Sequence, residues 1–172
     1  MNKKWNFKFS FLFYIKKCRN RFECRFLYQE PYRNRHTKVK GYLLNNIVKT
    51  NSSDIIIDLH RDAIGSRADY APTVKIGEEY AAQLMFVIGT NGGGLWHPNW
   101  RENLQFAIEV QEKANELYPG LFKPIILRNS RYNQHLGKAA CIIEVGATGN
   151  TLEQGMTSMK YLAKILNEIL NK

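Results

Sequence analysis

Two apolar, β-branched runs set the limits on what this chain can fold into. One lies in DIIIDLHRDA, residues 54–63, and the other in CIIEVGATGNTLE, residues 141–153. A strand with one wet face would alternate apolar and polar residues, so unbroken runs of this kind suit strands covered on both faces. Each run closes on a group able to bind a metal or move a proton, His60 in the first and Glu144 in the second. Open α/β sheets carry their chemistry at strand ends followed by a glycine-bearing turn. A His and a Glu at neighbouring strand ends would make half of a metallohydrolase site.

The rest of the body alternates in type. Val39, Tyr42, Leu43 and Ile47 have helical spacing, which predicts a helix over 37–50, and Asn51-Ser52-Ser53 predicts a turn. Residues 64–80 are polar and turn-rich, and Pro72 and Gly77 exclude a regular helix through them. Residues 81–88 predict a second strand, and 90–98 a glycine-rich loop. Asn99 opens a helix with Trp100, Leu104, Ala107, Ile108, Ala114 and Leu117 near one stripe, stopped by Tyr118-Pro119-Gly120. A short strand over 125–127, a polar loop over 129–138 and a central strand over 139–145 follow. Thr151 can cap a last helix with Met156, Met159, Leu162, Ala163, Leu166 and Leu170 inward. This order predicts one α/β domain: a mixed, mostly parallel sheet flanked by helices on both faces.

The first forty residues differ in kind. They hold twelve of the 25 Lys and Arg residues against Glu23 and Glu30, so the net charge of +10 belongs to them and the remainder is neutral. They also hold ten of the 21 aromatics and no alanine or glycine. The apolar run at 9–15 is far shorter than the roughly 20 residues a membrane span needs, and no small-residue cleavage site follows it. A disordered nucleic-acid-binding tail would be poor in aromatics, so no nucleic-acid partner is expected. An amphipathic membrane-surface segment is a further reading. The composition best matches a shifted reading frame or misplaced start in AT-rich DNA. Residues 1–31 are therefore expected to be an aberrant basic and aromatic segment outside the fold, and 32–172 the folded part. Three scattered cysteines, Cys18, Cys24 and Cys141, make neither a disulfide framework nor a zinc knuckle, and Cys141 reads as a buried hydrophobe.

Several groups compete for a chemical role. His60 has Asp58 and Asp62 two residues to either side, and a zinc-bound histidine wants its second ring nitrogen held by such a group. A lone His at a strand end is more often simply hydrogen-bonded. Glu144 ends so apolar a strand that its carboxyl needs a partner or a task. Burial would raise its pKa toward that of a general base, whereas a salt bridge to Arg61 or Arg131 would make it structural. VIGTNGGGLWHPNWRENL, residues 87–104, lacks the spacing of a phosphate loop. Its glycines and Trp96, His97 and Trp100 suggest a mobile loop with flat aromatics for a sugar ring or an extended peptide, or else plain packing. Asn91, Trp96, Arg131 and Asn133 are the substrate-binding candidates; His97 is the weakest of the histidines.

Together, DIIIDLHRDA, VIGTNGGGLWHPNWRENL, PIILR with RYNQHL, and IEVGATGNTLEQ resemble the stage II sporulation protein P family, from about residue 32 to the C-terminus. That family is related to the zinc-dependent N-acetylmuramoyl-L-alanine amidases. The resemblance implies a mixed sheet between helices and membrane anchoring at the septum, facing the cell wall. It implies amidase and endopeptidase action on peptidoglycan during engulfment, with membrane-associated sporulation proteins as partners. It implies zinc, with His60 as the second zinc histidine and Glu144 as the catalytic glutamate. The chain departs from the family where a first zinc histidine and a zinc glutamate are expected upstream: only His36 precedes His60. A catalytic zinc needs three protein ligands. The sequence therefore predicts an incomplete zinc site, a missing first strand with an exposed sheet edge, and an amidase impaired as it stands. The alternative is a non-catalytic peptidoglycan-binding remnant.

Overall fold

A computed structural model describes residues 11–18, 21–28, 55–63, 67 and 69–171. The helix expected over 37–50 and the turn after it lie outside the described residues. The elements are β1 (Phe11–Cys18), β2 (Arg21–Tyr28), β3 (Ile55–Asp62), β4 (Thr73–Ile76), β5 (Glu79–Ala82), β6 (Leu84–Gly89), α1 (Trp100–Leu117), β7 (Ile126–Arg128), a 3-10 turn (Gln134–Leu136), β8 (Ala140–Ala147) and α2 (Leu152–Leu170).

Six strands form one mixed sheet in the order β2-β1-β3-β8-β6-β7, and β4 and β5 form a separate hairpin. The pairs β3–β8 and β6–β7 are parallel, and β6 runs antiparallel to β8. The α/β architecture expected from the sequence is present. β3 is not an edge: β1 runs antiparallel along it from Phe11↔Leu59 to Ile15↔Ile55, and β2 lies outside β1. The turn-rich stretch after β3 contains the β4–β5 hairpin, and the single strand expected over 81–88 is divided between β5 and β6.

Strand alternation sorts the core into two sides. Ile55, Ile57 and Leu59 of β3, Cys141 and Ile143 of β8, and Leu84, Phe86 and Ile88 of β6 pack with both α1 and α2. On the other side, Ile56 and Ala140 meet Leu136, while Met85, Val87 and Ile142 meet Ile126 and Tyr132. Both described helices thus cover one face. Cys141 is buried as expected, and burial raises its thiol pKa, so it behaves as a small apolar residue.

The helices start and stop for local reasons. Thr151 caps α2 with a capping box: its hydroxyl accepts from Gln154 N at 3.2 Å, and Gln154 Oε1 accepts from Thr151 N at 3.1 Å. The inward stripe of α2 is Ser158, Tyr161, Leu162, Ile165 and Leu166. Met156 and Ala163, expected inward, are exposed, because the buried stripe is rotated toward Tyr161 and Ile165. In α1, Ile108 and Leu117 likewise face out and the fully buried Asn103 faces in. Among the described residues no helix is long and apolar enough to cross a membrane.

Candidate active site

The parallel register of β3 and β8 sets His60 directly beside Glu144. Neighbouring strands lie about 4.8 Å apart, and residues paired in register project to the same face. That face is the one opposite the helices, shared with Asp58, Ile142 and Met85, the last being the partner of Glu144 on β6. The two groups named from sequence as the ends of apolar runs are therefore brought together.

His60 is tied to its own strand. Its Nε2 lies 3.0 Å from Asp58 Oδ2, a contact made possible because residues two apart on a strand share a face. Beyond His60 the β3–β8 register shifts, so that Asp62 pairs with Ala147. Such an irregularity at a strand end re-aims the side chains next to it.

Glu144 is mostly buried, and its Oε2 has no hydrogen-bond partner among the described residues. Its pKa is pushed from 4.5 up to about 7, first by burial, opposed by His60, and further by the negative charges of Asp62 and Asp58. Neither salt bridge considered from sequence forms. Arg61 is turned to the turn after β8, donating to Ala147 O at 2.7 Å and to Thr148 O and Asn150 O at 2.6 Å each. Arg131 belongs to the far end of the sheet, where it donates to Trp96 O at 3.2 Å. Three backbone carbonyls pinned by one guanidinium hold the end of β3 to the end of β8. Asn150 secures the same turn, accepting from Ala147 N at 2.8 Å and donating to Pro72 O at 3.1 Å. Gly146, two residues after Glu144 and still within β8, adopts φ +62, a conformation glycine takes without strain.

The result is a carboxyl that is half protonated near neutrality, beside an imidazole held by a carboxylate. A group with that pKa can take a proton from water and return it to a leaving group. For zinc the donor set is short. Among the described residues no group of three or more His, Cys, Asp or Glu side chains is placed to hold a metal ion. His60 offers one imidazole with Asp58 against it, and His36, Glu30 and Glu23 lie outside the described side chains. The described residues do not by themselves compose a zinc site.

The substrate-binding candidates lie elsewhere. Asn91 and Trp96 sit in the loop leaving β6, and Arg131 and Asn133 in the loop leaving β7. β6 runs opposite to β8, so its C-terminal end is about four residues, roughly 13 Å, from the level of Glu144. The two loops are stacked on each other. A Cβ on Gly89 would stand 2.3 Å from Ser130 O, and one on Gly93 would stand 2.1 Å from Asn129 O. These two glycines thus serve close backbone approach. Trp96 is 71% exposed at the rim, and Asn91 is exposed. Gln134, which sequence reasoning did not single out, donates to Val87 O and accepts from Gly89 N, both at 2.8 Å. Asn103 donates to Gln134 O and accepts from Ala140 N, both at 2.9 Å. An Asn inside an otherwise apolar helical stripe was the one visible signal for this network.

A family model for stage II sporulation protein P (SpoIIP) matches residues 19–167. No curated protein and no solved structure matches the chain. The family match covers most of the 172 residues and spans both His60 and Glu144; the chain belongs to the stage II sporulation protein P family, whose role is in sporulation.

Proposed function

We propose that the chain acts on peptidoglycan as an N-acetylmuramoyl-L-alanine amidase, with Glu144 as the proton-transfer residue. The observation that carries this reading is the mostly buried Glu144 carboxyl, with one oxygen lacking a partner among the described residues, a pKa of about 7 and His60 in register beside it. In amide hydrolysis, water adds to the carbonyl carbon while Glu144 takes its proton. The C–N bond then breaks as the same proton passes to the departing amine, leaving a free amino group and a carboxylic acid that releases its remaining proton to solvent. Asp58 acts on His60 by fixing its ring. Zinc, when bound, would supply Lewis acidity and an acidified water. His60 is the residue proposed to ligate it, and the described donors leave that set incomplete. An endopeptidase action on stem peptides would use the same proton path. A septal, wall-facing location beside membrane-associated sporulation proteins accompanies this reading.

A second reading is a module that binds peptidoglycan without cutting it. One observation favours it: the exposed Trp96 at the rim of the loop after β6. Purified sacculi incubated with the protein and zinc distinguish the two. New free amino groups that disappear in Glu144→Gln support the amidase. Sacculus binding without amino-group release, unchanged in Glu144→Gln, supports the binding module.

A further inference from the structure

Among the described residues, four of the six buried side-chain nitrogen and oxygen atoms that lack a hydrogen-bond partner fall in one place: both ring nitrogens of His97, Nδ1 of His135 and Nε of Arg131. Buried polar atoms are nearly always satisfied, so a concentration of this kind calls for a ligand. The His97 and His135 rings stand 6.4 Å apart, edge to face, and His97 is 2% exposed. Arg131 joins them by donating to the carbonyl of Trp96, next to His97. The backbone at this point is strained, since Tyr132 holds φ +51, a conformation that bulky residues seldom adopt.

The charge at the cluster decides which ligand class fits. Burial, then for His97 the neighbouring His135, and for both rings Arg131, lower the imidazole pKa values, so added positive charge is disfavoured. The fixed charge of the Arg131 guanidinium beside both rings argues against a metal cation between them. The N-terminus of α1 begins three residues after His97, and Asn99 gives its side chain to His135 O at 3.2 Å instead of capping the helix. The helix end therefore adds its own positive field.

We propose that His97, His135 and Arg131 form a subsite for the carboxylate of an extended peptide, with Trp96 as its exposed rim. The peptide as occupant rests on the amidase reading above; the carboxylate chemistry does not. β6 ends about four strand residues, roughly 13 Å, from the level of Glu144, and the loop carrying Trp96 and His97 leaves from that end, so an extended peptide of at least four residues would be needed to join the two.

The test is a titration of the isotope-labelled Glu144→Gln protein, followed through the imidazole and Arg Nε–H resonances, with D-alanyl-D-alanine, its C-terminal amide, sodium acetate and zinc. The dipeptide should produce saturable shifts at His97, His135 and Arg131, at least about tenfold tighter than the amide. Arg131→Lys, which keeps the charge but loses the Nε–H, should weaken the dipeptide by about tenfold with β8 resonances unmoved. Acetate binding as tightly as the dipeptide would overturn the peptide assignment. Zinc shifting both imidazoles, or no saturable shift at these three residues, would overturn the subsite itself. Because Glu144→Gln cannot hydrolyse, failure here leaves the amidase reading to its own sacculus assay. Loss of amidase activity in that assay leaves the carboxylate shifts untouched.

Discussion

The two ends of the central sheet treat buried polar groups in opposite ways. Where β3 and β8 finish, one carboxyl is sunk beside an imidazole and left with an oxygen that nothing described satisfies. Where β6 finishes, Asn103 and Gln134 fill each other's hydrogen-bonding capacity and that of Gly89, Val87 and Ala140. A satisfied network fixes geometry; an unsatisfied group keeps capacity for a substrate or a proton. The second end contains both kinds, since the His97 cluster adjoins the Gln134 network. Position on the sheet thus says less about role than the state of the hydrogen bonds.

The largest effect expected from this contrast is on turnover. Glu144→Gln should lower amino-group release from sacculi by about 10²–10⁴-fold, the usual worth of a general base. A variant within a few-fold of the parent would erase the distinction between the two ends. Asn103→Ala should do the reverse. It leaves the Ala140 amide and the Gln134 carbonyl without their buried partner and should cost roughly 2–5 kcal/mol of stability by urea unfolding. A near-neutral result would show that the network is not what holds that end.

The pH dependence of stability sharpens the comparison further. The folded state holds a proton on Glu144 up to about pH 7, whereas the unfolded chain releases it near 4.5. Between those values the native state binds more protons, so stability from this group falls as pH rises and levels off above 7. The loss is on the order of 3 kcal/mol, and Glu144→Gln should abolish it in unfolding curves taken at pH 5 and pH 8. The smallest effect belongs to the surface. Lys160 reaches Glu79 at 2.7 Å with both side chains about half exposed, and Lys160→Ala should leave the urea-unfolding midpoint nearly unchanged.

Much of this was legible in the chain. The apolar runs named both central strands, and their last residues named His60 and Glu144, because burial on two faces demands continuous apolar sequence. Thr151 marks the start of α2 in the sequence, and the structure adds Gln154 as the second half of a capping box. The β4–β5 hairpin is not predicted, although Thr73-Val74-Lys75-Ile76 alternates polar and apolar, because four-residue strands carry too short a pattern to stand out from a turn-rich stretch. Met156 and Ala163 were placed inward by a helical stripe that tertiary packing rotates by about one residue.

What the sequence determined by itself, then, is the two central strands, the two described helices and the two residues at the strand ends, all written in patterns a few residues long. The tertiary structure decided the rest. It put His60 and Glu144 on one face through the β3–β8 register, turned Arg61 to three carbonyls more than eighty residues away, and stacked the loop after β6 on the loop after β7. The glycines that read as mobility serve that stacking, and His97, ranked lowest from sequence, is among the most buried polar residues. Register and loop contact join groups distant along the chain, and no local pattern of apolar and polar residues encodes which of them will meet.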